Sequence, residues 1–220
     1  MNEAQPTHQG ILQPDPHRAK TASPPPGSLI HSPASYFERL DLSTLFSMVQ
    51  PLEVELGSGD GSFLVEYARS MPDHNFLGVE RLLGRLRKID RKGQRAGLAN
   101  LRVIRVEAGY FLEYLLPVKS ACALHVYFPD PWPKRKHRKN RLINARFTEM
   151  AGRVLQPGGA VYLRTDDPDY FAQMTSVFRE NANFREIATP PGLAALRTDF
   201  ERDFQARGIA TLAVAYQQWE

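Results

Sequence analysis

The chain has little of what stabilises secreted or membrane proteins. It has one cysteine, Cys122, among 220 residues, which excludes a disulfide framework and a cysteine-based metal site. No run of about 18 apolar residues occurs, so the sequence predicts no membrane-spanning helix. The N-terminus has no apolar core of the kind a signal peptide needs. We therefore expect a protein of a reducing, cytoplasmic compartment.

The two ends of the chain differ in composition. Residues 1–32 are rich in Pro, Gln, His and Ser and show no hydrophobic periodicity, which predicts a disordered or extended arm. The remainder, residues 33–220, belongs to a chain with 42% hydrophobic residues, enough to bury one good core. We expect one folded domain over these residues, with no obligatory protein partner, as a monomer or homodimer.

Strand and helix patterns alternate along that domain. Apolar strand-like segments occur at residues 52–56, 75–80, 101–106, 121–128, 160–165, 184–188 and 210–216. Amphipathic helical patterns follow the first, second, fourth and fifth of them, and a helix or two short ones are predicted between Tyr36 and Val49. This order predicts an α/β fold, a doubly wound Rossmann-like sheet with helices on both faces. The last two strands have no clear helical crossover between them, which predicts an antiparallel pair at one edge.

A glycine-rich turn follows the first of these strands. It reads E-L-G-S-G-D-G, with Gly57, Gly59 and Gly61 permitting a close backbone approach to a ligand. Ser62 stands where a dinucleotide-binding G-x-G-x-x-G motif has its third glycine, which weakens the interpretation of this turn as a dinucleotide site. Glu55 would be unfavourable beside a pyrophosphate, but it suits a ligand that carries an ammonium group. Glu80 ends the next strand, where a carboxylate accepts hydrogen bonds from ribose hydroxyls.

The segment Tyr127 to Arg141 joins an acid to a cluster of cations. Prolines at 129, 131 and 133 stop the strand and stiffen the loop that presents Asp130 and Trp132. Six of the next eight residues are Lys or Arg, with His137 among them, although the net charge of the whole chain is only +4. Such a local density predicts contacts with a polyanion, and phosphate in particular. The alternative is a merely solvated surface.

These motifs resemble those of a known enzyme family. The E-L-G-S-G-D-G turn with Glu80 resembles the S-adenosylmethionine site of class I methyltransferases. The sequence FPDPWPK with the following R-x-H-x-K-x-R-L resembles the bacterial tRNA (guanine-N7) methyltransferase family, and TDD and TDFE look like two further motifs of that family. The resemblance spans residues 52–216. It implies an enzyme that uses S-adenosylmethionine to methylate a variable-loop guanine of tRNA, position 46 in tRNA convention.

The resemblance also implies roles for individual residues. The cofactor site would comprise the three glycines with Glu55, Glu80, Glu107 and Asp130, and Asp130 would be the catalytic acid. The tRNA site would comprise the following residues: Lys134, Arg135, His137, Arg138, Asp166, Thr198, Asp199, Phe200 and Glu201. Two positions depart from the family pattern, because Asp199 replaces a usual Lys or Arg and Glu107 replaces a usual Asp. Lys139 and Arg141 are expected to add phosphate contacts.

Guanine N7 has a free lone pair, so methyl transfer to it needs no general base. We expect Asp130 to orient the base and to stabilise the positive charge that develops on it. No cluster of histidines and acids has metal-ligand spacing, so no metal is predicted. Four other readings stay open: methylation at another RNA site, methylation of an amino group, a catalytically silent RNA-binding module, and a dinucleotide oxidoreductase.

Overall fold

A computed structural model describes residues 27–219, which form one eight-stranded sheet with helices on both faces. The strands are β1 Ile30–His31, β2 Leu52–Leu56, β3 Asn75–Val79, β4 Leu101–Ile104, β5 Ala121–Tyr127, β6 Leu155–Thr165, β7 Phe184–Ile187 and β8 Leu212–Gln218. The α-helices are α1 Ser62–Ser70, α2 Leu83–Arg95, α3 Ala108–Tyr110, α4 Ala145–Val154, α5 Pro168–Arg179, α6 Pro191–Ala195 and α7 Asp199–Ala206. A π-helical turn, Phe111–Leu115, continues α3, and two 3₁₀ turns cover Leu42–Thr44 and Arg135–Asn140. Within this described part, no helix is long and apolar enough to cross a bilayer.

The strand order is β1-β4-β3-β2-β5-β6-β8-β7, and only β8 runs against the others. The predicted doubly wound α/β fold is confirmed, as is the antiparallel pair at the edge. The connection within that pair is longer than expected, because α6 and α7 lie between β7 and β8. The order reverses between β2 and β5, which are neighbours in the sheet. Ligands of open α/β sheets bind at the carboxyl ends of the strands beside such a reversal.

Alternating side chains of the buried strands pack against helices on the two faces. Val54 and Val79 join a core cluster with Phe147 of α4 and Tyr170 of α5. Phe76, which points to the opposite face, joins a second cluster formed largely with α1 and α2. Since both faces are covered, β2 and β3 are buried along their whole length. The sheet is therefore a rigid support for the loops at its ends.

Two predictions for the N-terminal region differ from the structure. Residues 1–26 of the predicted arm lie outside the described residues, but Ile30–His31 forms the edge strand β1 instead of belonging to an arm. The preceding Leu29 is buried, and its N–H donates to Asp90 at 2.8 Å. The helix predicted between residues 36 and 49 is also wrong. Only one 3₁₀ turn forms there, because Leu40 and Leu45 reach the core while Val49 stays 98% exposed, so no continuous apolar face exists.

Candidate active site

A cleft of about 550 Å³ opens at the sheet reversal. It lies between the residues that follow β2 and those that follow β5, and it is within the size range of small-ligand sites. Among the residues predicted from the sequence, its lining includes Gly57, Glu80, Glu107 and Asp130. A narrower recess of about 30 Å³ shares Gly57 and Phe128 with the cleft, and its lining adds Glu55, Gly59, Thr198, Asp199 and Phe200. Gly61 and Glu201 line neither the cleft nor the recess.

The glycine turn is fixed by backbone bonds to the neighbouring strand. The N–H groups of Gly57 and Ser58 donate to the carbonyl of Val79 at 2.8 and 3.0 Å. Gly61 caps α1 in a left-handed conformation, φ 76°, and a Cβ there would lie 2.7 Å from Ile89 of α2. This third glycine is therefore required by helix packing and by its φ value. Its predicted contact with a cofactor stays a prediction.

Glu55 is the most perturbed acid of the site. Burial, aided by the nearby Asp60 and Glu80 carboxylates and opposed by Ser58, raises the pKa of its carboxyl group from 4.5 to about 8. Its Oε2 atom is buried and has no hydrogen-bond partner among the described residues. A buried acceptor without a donor is costly, so this atom is suited to a ligand that brings a donor. An ammonium group has that chemistry.

Glu80 links the glycine turn to the start of α2. Its Oε2 accepts from the N–H of Gly59 at 3.0 Å, and its Oε1 accepts from the N–H of Leu82 at 2.7 Å. Each carboxylate oxygen can accept a second bond. The carboxylate is therefore held rigidly at the cleft and keeps accepting capacity for hydroxyl groups.

Glu107 lies at the far side of the cleft, where it caps α3. Its two oxygens accept from the N–H groups of Gly109 and Tyr110 at 2.9 and 2.8 Å. The longer Glu side chain at a position where the family usually has Asp thus bends back onto its own helix. Glu107 stands at the predicted place, but its carboxylate is partly occupied by this cap.

Asp130 is exposed on a loop with an unusual backbone. Phe128 and Trp132, two residues before and after it, have φ values of 51° and 44°, which non-glycine residues rarely adopt. Such conformations cost roughly 1 to 3 kcal/mol each and cluster at functional sites. The ring of Phe128 packs against Phe204 of α7, with centroids 5.5 Å apart, and Trp132 meets His137 edge-on. These contacts hold Asp130 at the cleft.

The expected phosphate contact of Arg141 is wrong, because this side chain is only 2% exposed. Its Nε donates to the carbonyl of Pro131 at 2.7 Å, and its Nη atoms donate to Gln173 at 2.9 Å and Asp169 at 2.6 Å. The guanidinium group also lies 4.7 Å from the ring centre of Tyr170. Arg141 therefore fastens the Asp130 loop to α5.

The other cations of this segment are on the surface. Lys134, Arg135, Lys136, Arg138 and Lys139 are exposed and His137 is half-buried, on or beside the 3₁₀ turn. Arg138 pairs with Asp169 at 3.0 Å. None of residues 134–139 belongs to the lining of the cleft, so these cations flank it. That position fits a role in holding the backbone around a bound nucleotide.

The TDFE residues are held by a buried arginine that the sequence analysis overlooked. Thr198 and Glu201 form a reciprocal cap on α7, and Oε2 of Glu201 accepts from Arg164 at 2.9 Å. Arg164 also donates to the carbonyls of Leu193 and Leu196, both at 2.7 Å. A lone arginine inside the apolar strand sequence AVYLRT was the available signal, since a buried charge needs a partner. Thr198 and Glu201 thus shape the recess in addition to lining or bordering it.

Two further TDFE residues and the TDD acid have distinct positions. Phe200 is 47% exposed beside the recess, and the carboxylate of Asp199 pairs with Arg202 at 2.6 Å. Where the family has a cation, this chain thus has an acid already neutralised by a neighbour. Asp166 is half-buried directly after β6, beside the end of β5, and Asp167 caps α5. Asp166 does not line the cleft.

One group of possible metal ligands of mixed type lies at the end of the strands that is opposite to the cleft. Within residues 27–219, atoms of Glu53, His74 and Cys122 approach within 4.8 Å of one another. Burial raises the pKa of the Cys122 thiol to about 12, so it is protonated at neutral pH. Oε2 of Glu53 is engaged with His125 at 2.7 Å. We assign no metal to this group, and the absence of a metal site stays a prediction.

The sequence is similar to curated tRNA-modifying enzymes. A family model described as a putative methyltransferase matches residues 49–211. Relatives named tRNA (guanine-N(7)-)-methyltransferase include one from Rubrobacter xylanophilus, 33% identical over 186 residues with 83% of each chain covered. Another, from Chromobacterium violaceum, is 34% identical over 206 residues, which cover 91% of this chain and 87% of the relative. A third, from Sodalis glossinidius, is 38% identical, and the alignment spans 63% of its length.

Solved structures share the fold at low sequence identity. The 16S rRNA methyltransferase KamB has a TM-score of 0.60 at 18% identity, covering 83% of this chain and 95% of that one. TrmN from Thermus thermophilus has a TM-score of 0.55 at 16% identity, covering 77% of this chain and 45% of that one. These likenesses establish a methyltransferase-type sheet. The family match and the sequence relatives show that this chain belongs to the tRNA (guanine-N(7)-)-methyltransferase family.

Proposed function

We propose that this protein transfers a methyl group from S-adenosylmethionine to N7 of a variable-loop guanine in tRNA, position 46 in tRNA convention. The observation that carries the proposal is the buried, unpartnered Oε2 of Glu55. Glu55 lines a recess that adjoins, at Gly57 and Phe128, the cleft lined by Asp130 on its strained loop. The relatives supply the substrate class, since their names specify guanine N7 of tRNA.

The residues present fit S-adenosylmethionine. Glu55 would accept from the ammonium group, which supplies the donor that its buried oxygen lacks. Glu80 would accept from the ribose hydroxyls, because its two oxygens are positioned by backbone N–H groups and keep free lone pairs. A Cβ on Gly57 or Gly59 would meet no protein atom within 4 Å, so the space beside these glycines is open for a ligand. Glu107 and Ala108 would border the adenine end.

S-adenosylmethionine supplies an electrophilic methyl group when it is bound. The protein has to hold guanine N7 in line with that group and to stabilise the positive charge that appears on the purine. The N7 lone pair is free, so no side chain has to remove a proton beforehand. Asp130 is placed for orientation and charge stabilisation, because it is exposed at the cleft on a loop that is fixed on both sides.

The cations around the cleft would hold the tRNA. Lys134, Arg135 and Arg138 are exposed and adjacent to the loop that carries Asp130, so phosphates on either side of the target guanine lie within their reach. Asp166 and Phe200 border the same edge of the sheet and would contact the base. Asp199 would face the RNA only as an ion pair with Arg202, which makes a direct phosphate contact by this residue unfavourable.

Transfer of labelled methyl from S-adenosylmethionine to unmodified tRNA tests the proposal. The product is located by the chain cleavage that N7-methylguanine permits after reduction. Label on a variable-loop guanine supports both reaction and site, whereas label on another nucleotide retains the methyltransferase and rejects the site. Cofactor binding without transfer, or no cofactor binding at all, would favour a silent RNA-binding module.

A further inference from the structure

The strongest charged surface outside the active site is the exposed face of α2. Helix α2 buries Leu86, Ile89, Asp90 and Gly93 against the sheet. Its remaining surface carries six cations and no exposed acid: Arg85, Arg87, Lys88, Arg91, Lys92 and Arg95. We call this set the α2 basic face.

Most cations of the α2 basic face form no ion pair with another described residue. Among the described residues, only Lys92 has a carboxylate partner within ion-pair distance, namely Asp60. The one acid of the helix, Asp90, is buried and accepts from Leu29 and Gln94 instead. Arg87, Arg91 and Arg95 succeed each other at i, i+4 spacing, and like charges at that spacing destabilise a helix. An external anion is what would compensate this repulsion.

The position of α2 ties its basic face to the active site. At its N-terminal end, Arg81 and Arg85 line the 550 Å³ cleft together with Asp130 and Trp132. At its C-terminal end, Lys92 and Arg95 line an open depression together with Arg69 and Arg202. Two acids, Glu66 and Asp199, also line it, and both pair with Arg202. A helix of 13 residues is about 20 Å long. The face therefore leads away from the cleft over a distance of several nucleotides.

We infer that the α2 basic face binds the sugar-phosphate backbone of the tRNA body, outside the loop that carries the methylated guanine. The inference rests on the proposed function for the identity of the RNA. Arginine and lysine at regular spacing on an exposed helix face are suited to phosphate contacts, which fix orientation and carry no sequence information. The cations at residues 134–139 would hold the target loop, and the α2 basic face would hold a second part of the same molecule.

The test uses the full chain and a double variant, Lys88→Gln with Arg91→Gln. Both side chains are exposed, lie in the middle of the face and line neither cavity. The matched control is Lys119→Gln with Arg179→Gln, which removes two exposed charges at other places on the surface. Kd for unmodified tRNA is measured by filter binding over a range of salt concentrations, and for a short RNA hairpin that contains only the target loop and its stem. Thermal melting checks that both variants are folded.

For full-length tRNA we expect the Kd of the α2 variant to be about tenfold higher than that of the unchanged chain. The magnitude of the slope of log K against log salt should fall by about 1.5, because each of the two lost phosphate contacts removes roughly 0.7 to 0.9. The control variant should bind like the unchanged chain, and all three proteins should bind the short hairpin alike. Equal losses in the α2 and control variants would overturn the inference, as would an unchanged Kd for tRNA. A loss on the short hairpin would also overturn it, because the face would then contact the target loop.

The binding experiment, together with the methyl-transfer assay and a vesicle-binding assay on the same variants, separates this inference from the proposed function. A chain that binds tRNA through Lys88 and Arg91 but transfers no methyl group would contradict the function and retain the surface. A chain that methylates tRNA while the α2 variant binds normally would retain the function and reject the surface. If the chain instead binds vesicles of phosphatidylglycerol and the α2 variant loses only that binding, the face is a membrane surface and the inference is wrong.

Discussion

Arg141 and Arg138 lie three residues apart in the same cationic run, yet the structure predicts opposite effects for them. Arg141 is buried and donates to Pro131, Gln173 and Asp169, whereas Arg138 is exposed and pairs only with Asp169. The bonds to Pro131 and Gln173 stabilise by roughly 1 to 1.5 kcal/mol each, because their loss leaves partly buried acceptors without donors. The pair with half-exposed Asp169 adds about 0.5 kcal/mol, since solvent screens it.

Arg141→Met should therefore lower the free energy of unfolding by about 3 kcal/mol. For a chain of this length that corresponds to a fall in Tm of roughly 6 to 12 °C. Arg138→Met should change the free energy of unfolding by less than about 1 kcal/mol. In tRNA binding we expect the order to reverse, because Arg138 is exposed and can reach a phosphate whereas Arg141 is buried. Arg138→Met should lower the magnitude of the slope of log K for tRNA against log salt by about 1, the amount of one phosphate contact. A folded Arg141→Met protein should keep this slope unchanged.

Thermal melting and urea unfolding measure the stability effect, and filter binding at several salt concentrations measures the contact. A Tm of Arg141→Met within about 2 °C of that of the unchanged protein, which corresponds to less than about 1 kcal/mol, would contradict the stabilising role of Arg141. A larger loss of salt slope in Arg141→Met than in Arg138→Met, measured well below the Tm, would also contradict it. Either result would mean that this arginine is available to RNA, as its place in the sequence predicts.

Four further predictions concern Glu55, Asp130 and the N-terminal cap of α7. Glu55→Gln should abolish the release of about one proton per cofactor bound near pH 7, measured by calorimetry in buffers of different ionisation enthalpy, because the folded pKa of about 8 leaves Glu55 mostly protonated until an ammonium group arrives. The same raised pKa means that the folded state holds this proton more tightly than the unfolded chain. Stability of the ligand-free protein should therefore fall as pH rises from about 4.5 to 8, and denaturant unfolding at pH 6 and 8 should show a smaller fall in Glu55→Gln. Asp130→Asn should lower the rate of methyl transfer by about 10² to 10³ and leave cofactor affinity unchanged; full turnover in this variant would contradict its assigned role. Thr198→Ala should cost about 1 kcal/mol of stability as a lost helix cap, whereas Glu201→Ala should cost about 3 to 5 kcal/mol because it leaves Arg164 buried without its carboxylate, and equal costs in chemical unfolding would contradict this difference.

The sequence predicted the strands and main helices well because their patterns are dictated by burial on one or two faces. LEVEL and NFLGV are buried throughout, and α2 alternates buried and cationic positions at helical spacing. The segment at residues 36–49 failed for the same physical reason. Leu40 and Leu45 pack separately into the core, whereas Phe37 is 90% exposed. The helical spacing of the apolar residues therefore did not correspond to one buried helix face.

The candidate site was predicted in its parts but not in its internal bonds. Position at or just after the end of a strand was enough to bring Glu55, Glu80 and Asp130 to one edge of the sheet, because parallel strands end there together. Hydrogen bonding between distant residues is not visible in local patterns. Arg141 therefore looked like another phosphate contact, and Arg164 looked like an ordinary strand residue, although each is the buried centre of a network.

The two buried arginines explain how an exposed loop can keep a strained backbone. The segment from Phe128 to Trp132 has no secondary structure of its own, and both of its ends are in left-handed conformations. Arg141 holds one end through the carbonyl of Pro131, and Arg164 holds α7, whose Phe204 packs on Phe128 at the other end. The strain is thus maintained by α5 on one side and by α7 on the other. Because α7 also carries the TDFE residues, a change that loosens Arg164 should disturb the Asp130 loop and the recess lined by Thr198 and Phe200 together, while a change at Arg141 should disturb the loop alone.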